Sequence, residues 1–294
     1  MTINPKDLSN ESLELNSNLR LFQIFKKLGH VSLKCDTYFQ TYEELFERYI
    51  NKDITFVEIG VLHGGSLFMW KEYFGEKARI IGIDLNPKAL ELEKEGFEIY
   101  IGSQSDKNFW RKFYNKIGKI DVLLDDGGHS NDQQIITLAE SVPNINDGGV
   151  LVTEDVHTSY LKKFGNPSRF SFINYSKHLI NTVNSRFLET KITKSGTFRK
   201  KIYSITYFNS IVAIKIDSRK SIETTIIKNN ENERFKTNDL RSNDYFPKIS
   251  SFINKNLPIL HRILIIKKII RYLFYSHNFI LKIKYYFKLK KYFK

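Results

Sequence analysis

The sequence has little cysteine, no long uncharged apolar stretch, and no acidic residue near its end. Cys35 is the only cysteine among 294 residues. An internal disulfide and a zinc cluster built from cysteines are therefore excluded, and any bound metal must be held by oxygen and imidazole. A single cysteine fits a reducing cytoplasm, which is the compartment we expect.

No stretch of about 18 residues lacks a charged side chain, although a membrane-spanning helix would need one. The opening residues, MTINPKDLSNESLELN, are too polar for the apolar region of a secretory signal. We therefore expect neither a spanning helix nor an export signal.

Acidic residues are absent from residues 251–294, which contain eleven Lys or Arg. This tail carries +11 of the formal net charge of +14, so residues 1–250 hold an ordinary +3. After Pro258, isoleucines recur at helical steps with basic residues elsewhere on the wheel. Such a basic amphipathic helix suits an anionic membrane at its inner face, and it equally suits packing on the core or on a partner subunit. RNA binding by the tail is a third and weaker option, so we do not expect a nucleic acid as the partner. The sequence leaves open whether the protein forms a homo-oligomer.

Between residues 54 and 154, short apolar runs alternate with helix-like segments and are flanked by Gly and Asp. This pattern predicts βαβ units and a buried parallel sheet. Residues 201–217 give two β-rich runs that predict an antiparallel edge hairpin. The predicted fold class is therefore α/β, a doubly wound Rossmann-like and mostly parallel sheet. The predicted organisation is a helical cap (1–50), the core (51–217), a polar linker (218–250) and a basic helical tail (251–294).

The segment VEIGVLHGGS, residues 57–66, follows the first predicted strand and enters a helix. Its glycines allow a sharp turn close to a ligand, and the helix N-terminus offers free amides. The next strand ends in Asp84, where an acid can accept ribose hydroxyls. The spacing is not the dinucleotide fingerprint. The glycine-rich turn and Asp84 together predict an adenosyl ligand. The alternative is a plain strand-to-helix turn without a ligand.

Glu58 places an acid at the end of the first strand, which would repel a diphosphate. It suits a ligand with a positive centre and an ammonium group, which is the chemistry of S-adenosylmethionine. At the end of the third strand, Gly102, Ser103 and Gln104 are candidates for contact with the adenine edge. The predicted donor-binding residues are Glu58, Gly60, Gly64, Ser66, Asp84, Ser103 and Gln104.

Acids and histidines follow the fourth and fifth strands, in DVLLDDGGHS (121–130) and VLVTEDVH (150–157). If the strands are neighbours, four acids and two histidines meet at one edge, which is costly without a cation. Carboxylates favour a hard ion such as Mg²⁺, Mn²⁺ or Ca²⁺. A non-haem iron site is the competing interpretation and needs both His129 and His157. We expect Asp125 to face the donor or brace the turn, and the two glycines to let the chain turn His129 back.

These motifs, from about residue 36 to residue 160, resemble the metal-dependent sugar O-methyltransferases of macrolide and tetracenomycin biosynthesis. That class I S-adenosylmethionine-dependent family is related to cephalosporin hydroxylase-like proteins. The resemblance implies Mg²⁺ or Mn²⁺ held by Asp126, Glu154 and Asp155, with His129 as the general base. The sequence departs from the family at Gly128, where Ser is common, and at Ser103, where Asp is common.

The predicted function is transfer of a methyl group from S-adenosylmethionine to a sugar hydroxyl of a glycan, a glycolipid or a glycosylated metabolite. His157 and Tyr160 are predicted to line the acceptor pocket. Two alternatives stay open: an iron-dependent enzyme related to cephalosporin hydroxylase on the same fold, and a membrane-associated scaffold without catalysis. The intact acids count against the scaffold.

Overall fold

The computed structural model describes residues 9–165, 168–187 and 197–229, and in the tail residues 268, 272, 279–280 and 283–292. The chain divides into two compact units, Met1–Ile226 and Ile227–Lys294. Most of the predicted linker and most of the helix predicted to begin at Pro258 lie outside the described residues.

A seven-stranded sheet organises the first unit, in the order β3-β2-β1-β4-β5-β7-β6. The strands β1 to β5 are parallel to their neighbours, and β7 is antiparallel to both β5 and β6. The doubly wound sheet and its antiparallel edge hairpin are therefore confirmed. The strands are β1 (Thr55–Ile59), β2 (Arg79–Asp84), β3 (Glu98–Ile101), β4 (Ile120–Asp125), β5 (Ile145–Thr153), β6 (Ile202–Phe208) and β7 (Ile211–Ile216).

Helices cover both faces of this sheet. They are α1 (Asn10–Asn16), α2 (Arg20–Lys27), α3 (Tyr38–Phe46), α4 (Gly65–Phe74), α5 (Lys107–Ile117), α6 (Asn131–Ser141) and α7 (Phe172–Asn184). Between β2 and β3 the chain forms a 3-10 helix, Pro87–Glu95. None of the helices in the described residues is long and apolar enough to cross a membrane.

Successive side chains of each strand point to opposite faces of the sheet, and this alternation divides the hydrophobic core into two layers. Phe56 of β1 packs with Phe46, Trp70 and Phe74, so α3 and α4 share one face of the sheet. The next residue, Val57, points to the other face, which is covered by α5, α6 and α7. The N-terminal helices are thus part of the core that supports the carboxyl edge of the sheet.

In the second unit, residues 283–289 are helical and Lys290–Tyr292 form a 3-10 turn. Aromatic side chains of this segment are exposed, including Tyr285, Tyr286 and Phe287. The described end of the tail is therefore helical, whereas the helix predicted from Pro258 stays a prediction.

Candidate functional site

A cavity of about 670 Å³ opens at the carboxyl edge of the sheet. It adjoins β1 and β4, where the strand order reverses and where open α/β sheets bind ligands. The volume suits a small-molecule ligand. The predicted site residues that line it are Gly60, Asp84, Ser103, Gln104, Asp126, His129, Glu154 and Asp155. Those that do not line it are Glu58, Gly64, Ser66, His157 and Tyr160.

The glycine-rich turn after β1 needs its glycines. Gly60 and Gly64 have φ angles of 85° and 83°, in the left-handed region that other residues avoid. A Cβ on Gly60 would also collide with the backbone of Asp126. Asp84 fixes the turn, because its Oδ2 accepts the backbone N–H groups of Val61 at 3.0 Å and Leu62 at 3.2 Å. A ribose contact by Asp84 stays a prediction.

Glu58 lies behind the cavity wall and is fully buried. Ser66 donates its hydroxyl to Glu58 Oε2 at 2.6 Å, and the Trp70 indole donates to Oε1 at 3.2 Å. Burial raises the pKa of Glu58, while the nearby Lys34 ammonium opposes that shift. The predicted donor residues Glu58 and Ser66 are thus bonded to each other, and their contact with a donor stays a prediction.

Lys34 is the centre of the charged cluster, and no sequence pattern had marked it. Its Nζ lies 2.5 Å from Asp126 Oδ2 and 3.4 Å from oxygens of Glu58 and Glu154. Only 2% of its side chain is exposed. Burial works against the charge, but the surrounding carboxylates outweigh it and hold the pKa of Lys34 well above its ordinary value. The ammonium is therefore the counter-ion of acids from β1, β4 and β5.

Helix α3 adds two tyrosines to the same edge. Tyr38 Oη donates to Asp155 Oδ1 at 2.5 Å, and Tyr42 Oη donates to Glu154 Oε1. Burial raises the pKa of both phenols, so they remain donors. Burial also raises the pKa of Glu154 well above its usual range. The N-terminal helices therefore supply site residues as well as packing.

Asp125 ends β4 and Asp126 begins the turn that follows it, and the two carboxylates have different partners, Gln104 and Lys34. Asp125 is buried, and its Oδ1 accepts Gln104 Nε2 at 2.8 Å and the Gly127 amide at 3.3 Å. Gln104 Oε1 in turn accepts the Gly128 amide at 2.9 Å. Asp125 and Gln104 thus brace the turn that follows β4, and an adenine contact by Gln104 or Ser103 stays a prediction.

The turns after β4 and β5 contain strained residues. His129 and Asp155 have φ angles of 57° and 53°, although neither is glycine. Gly127 and Gly128 do not have positive φ, and His129 itself takes the left-handed conformation. The two glycines are needed for space, since a Cβ would strike Gln104 or Gln133.

Asp126, His129 and Asp155 each offer one ligand atom, and these atoms lie within 4.8 Å of one another. His129 Nε2 is 3.5 Å from Asp155 Oδ2. The residues fit a hard divalent ion, because the group is rich in carboxylate oxygen and the neighbouring acids already surround a cation, the Lys34 ammonium. Glu154, a predicted metal ligand, faces Lys34 and Tyr42 instead. The predicted metal set and the role of His129 as a base stay predictions.

The other predicted acceptor residues lie elsewhere. His157 and Tyr160 line a second cavity of about 510 Å³ with Lys177. His157 Nδ1 contacts Ser210 Oγ at 2.6 Å. An iron site with two histidines needs His157 beside His129. Among the described residues, the group that could hold a metal has His129 as its one histidine and does not include His157.

Sequence reasoning missed Lys34, Tyr38 and Tyr42, and it gave Cys35 no place at the cavity that it lines. The four-residue spacing of the tyrosines places both on one face of a helix, which was a usable signal. Lys34 had none, because nothing local marks one lysine in a basic chain.

Comparison with known proteins finds similarity over the part of the chain that holds most of this site. Residues 57–156 match the family model described as a methyltransferase domain. The chain is 35% identical over 135 residues to the 8-demethyl-8-alpha-L-rhamnosyl tetracenomycin-C 2'-O-methyltransferase of Streptomyces olivaceus, covering 44% of this chain and 35% of that protein. It is 32% identical over 131 residues to the mycinamicin VI 2''-O-methyltransferase of Micromonospora griseorubida, covering 42% and 32%. The resemblance to sugar O-methyltransferases is confirmed, and the chain spans about a third of the length of these relatives.

A solved structure shares the fold. The MycE methyltransferase of the mycinamycin biosynthetic pathway, in complex with Mg and SAH, matches with a TM-score of 0.61 and 24% sequence identity. The match covers 67% of this chain and 54% of that chain. At this identity the likeness establishes the Rossmann-like fold.

Proposed function

We propose, for a chain whose residues 57–156 match a methyltransferase domain, transfer of a methyl group from S-adenosylmethionine to a hydroxyl of a sugar-bearing acceptor. The observation that carries this proposal is the position of His129 beside Asp126 and Asp155 in the cavity that the glycine-rich turn also lines. A base, a set of carboxylates and a nucleotide-type turn in one cavity suit methyl transfer to a weakly acidic hydroxyl.

The donor half of the cavity is the β1 to β3 side. Gly60 leaves room for a close approach, and Asp84 holds the turn through Val61 and Leu62. Glu58 behind this wall and Asp84 in it would attract the sulfonium and ammonium of the donor, although Lys34 already offsets part of the charge of Glu58. A donor held here and an acceptor held at β4 and β5 would place the acceptor oxygen in line with the methyl–sulfur bond. Holding the two reactants in this geometry would contribute a large part of the rate enhancement.

The acceptor half is built around Asp126, Glu154 and Asp155, which would hold Mg²⁺ or Mn²⁺. A bound divalent ion supplies Lewis acidity that lowers the pKa of an acceptor hydroxyl. His129 takes the hydroxyl proton at Nε2, and Asp155 Oδ2, 3.5 Å away, stabilises the imidazolium that forms. Tyr38 holds Asp155 from the opposite side through its 2.5 Å hydrogen bond.

Calorimetry with S-adenosylmethionine, with and without Mg²⁺, is the first test. We expect donor binding in both cases, followed by methylation of at least one member of a panel of free and glycosidically linked sugars when isotope-labelled donor is supplied. EDTA should abolish turnover, and Asp126→Asn should abolish the metal-dependent part. Absence of donor binding would sink the proposal, whereas methylation that is insensitive to EDTA would remove only the metal.

The tail adds a second part to the proposal, namely that residues 251–294 bind an anionic membrane surface and bring the enzyme to lipid-linked or membrane-associated glycans at the cytoplasmic face. Its eleven basic residues have no acidic neighbours within the segment. The described helix also exposes Tyr285, Tyr286 and Phe287, which are suited to an interface of lipid and water.

Vesicle flotation tests the tail. The full chain should float with vesicles containing about a third anionic lipid, and it should be released at high salt, because such attraction is screened by ions. A chain ending at residue 250 should not float. Equal binding to neutral vesicles, or flotation without the tail, would contradict this part while leaving the proposed reaction intact.

A further inference from the structure

The cation in this site is part of the protein itself. Lys34 Nζ lies within 3.4 Å of carboxylate oxygens from Glu58, Asp126 and Glu154, and it is 2.5 Å from Asp126 Oδ2. These acids come from β1 and from the turns after β4 and β5. The ammonium therefore occupies the point on which the carboxyl edge of the sheet focuses its negative charge.

A second cation cannot join Lys34 among these oxygens at low cost. The exposed fraction of the side chain is 2% for Lys34 and 0% for Glu58, so water screens the cluster poorly. Two positive charges that share Asp126 in such a place repel each other strongly, and burial makes that repulsion larger. Binding of a divalent ion to Asp126 thus opposes retention of the ammonium.

The stretch that carries Lys34 lacks regular secondary structure. Residues 28–35, between α2 and α3, have neither helix nor strand, and Val31 and Leu33 are exposed by 77% and 44%. The contacts that hold it include the stacking of His30 on Phe68, with ring centroids 3.8 Å apart, and the Lys34 ion pairs. The backbone of Val31 also lies against Gly65 at the start of α4. Loss of the ion pairs would therefore remove one of the contacts that hold this stretch, without unfolding a helix.

We propose that Lys34 is a tethered competitor for the cation site, and that binding of a divalent ion expels its ammonium from the carboxylates and releases residues 28–35 from the cavity. This inference rests on the proposed function for the identity of the ion. It explains how Glu58 and Glu154 stay buried beside Asp126 before any ion arrives, because the lysine pairs with all three acids. It also makes the apparent affinity for the ion weaker than the intrinsic one, since only the fraction without Lys34 can bind.

Amine labelling tests this on the wild-type protein without any assay of turnover. The full chain is treated with an acetylating reagent, and labelling of each lysine is measured by peptide mass spectrometry. Without divalent ions, Lys34 should label about tenfold or more slowly than Lys71, whose side chain is 38% exposed. Saturating Mg²⁺ should raise the Lys34 rate to that of Lys71, while Lys71 itself should not change. Donor alone should leave Lys34 protected.

Calorimetric titration with Mn²⁺ supplies the second measurement. Lys34→Met should tighten Mn²⁺ binding about tenfold or more, whereas Lys34→Arg, which keeps the charge, and the surface control Lys71→Met should not. Circular dichroism checks that Lys34→Met is folded, and the labelling result on the wild type stands by itself if that variant is unfolded.

Several outcomes would overturn the inference. One is bound Mg²⁺ with Lys34 still protected, which would place the ion and the ammonium side by side. Another is exposure of Lys34 by S-adenosylmethionine alone, which would make the donor the competitor. If neither the wild type nor folded Lys34→Met binds Mn²⁺, the inference and the metal both fail, but donor binding and the methyltransferase proposal survive.

Discussion

At the amino edge of the sheet, Arg79 at the start of β2 pairs with Glu98 at the start of β3, and the side chains are 38% and 42% exposed. At the carboxyl edge, Lys34 is 2% exposed and meets buried acids. Water solvates the charges of the first pair whether or not the ion pair forms. Burial of the second cluster, in contrast, costs a large desolvation free energy. The same sheet thus has exposed charges with little desolvation cost at one edge and buried charges with a large desolvation cost at the other. Buried ionisable groups of this kind are typical of functional sites.

Backbone strain shows the same asymmetry. Among the described residues, five non-glycine residues have positive φ. Leu62, His129, Asp155 and Ser210 follow or join strands at the carboxyl edge, while Asn51 precedes β1 at the other. Asparagine tolerates this conformation, but leucine and histidine do so at a cost. Strain that the rest of the fold must offset is therefore concentrated beside the cavity.

The largest expected effect is on catalysis. His129→Ala should lower kcat by about 10² to 10⁴, because a general base contributes that much. Donor binding should stay within about twofold, since the donor does not depend on proton removal. Transfer from labelled S-adenosylmethionine to an acceptor from the sugar panel measures the rate, and calorimetry measures the donor.

His178→Ala, an exposed position on α7, is the matched control and should keep full activity. If His129→Ala keeps the wild-type rate, the base has been misassigned. If it instead loses Mn²⁺ affinity together with turnover, His129 is a ligand, as its grouping with Asp126 and Asp155 allows.

The next largest expected effect is on stability. One tyrosine at each edge of the sheet, Tyr42 at the carboxyl edge and Tyr49 at the amino edge, allows a direct comparison. Tyr42 donates to the buried carboxylate of Glu154, and Tyr49 donates to the backbone oxygen of Gly148 at 2.7 Å. Tyr42→Phe should cost about 1.5 to 3 kcal/mol, because its acceptor is a buried carboxylate. Tyr49→Phe should cost only about 0.5 to 1.5 kcal/mol, as for a neutral acceptor. Urea denaturation of the full chain measures both, and equal costs would refute the contrast.

The sequence predicted the strands and the acids at their ends because both depend on local pattern. Asp126 and His129 follow a short apolar run, and the parallel sheet then brings them to the end of β5. The hairpin of β6 and β7 was equally visible from its two β-rich runs.

Contacts across long sequence distances were not predictable in this way. Lys34 is 92 residues from Asp126 and 120 from Glu154, and only the packing of α2 and α3 on the sheet joins them. His157 was placed with His129 because both follow strand ends, but the 3-10 helix Val156–Tyr160 directs it to Ser210 and the second cavity. Side-chain direction after a strand is set by the turn, which the pattern of apolar residues does not encode.

A smaller effect comes from relieving strain at the carboxyl edge. Leu62 has a φ of 48° and is 71% exposed, so its replacement loses little burial. Leu62→Asn should stabilise the protein by about 1 kcal/mol, because asparagine accepts the left-handed conformation more readily. Leu85→Asn is the control, at 69% exposure and without positive φ, and it should change the free energy of unfolding little. A gain at both positions would point to solubility rather than to strain.

The smallest expected effect is at the amino edge. Arg79 contacts Glu98 through two hydrogen bonds of 2.6 and 2.7 Å, and these bonds lower the pKa of Glu98. Arg79→Met should nevertheless cost only about 0.5 kcal/mol at neutral pH, since both partners are well exposed and salt screens them. Because the pKa of Glu98 is lower in the folded than in the unfolded state, the contribution is present above its unfolded value of 4.5 and is lost as the pH falls through the folded value. The wild type and Arg79→Met should therefore converge in stability at a pH below the folded pKa of Glu98, and also in about 1 M salt. The cost of Tyr42→Phe, at a buried carboxylate, should persist in the same salt, and a salt-sensitive Tyr42 effect would erase the distinction between the two edges.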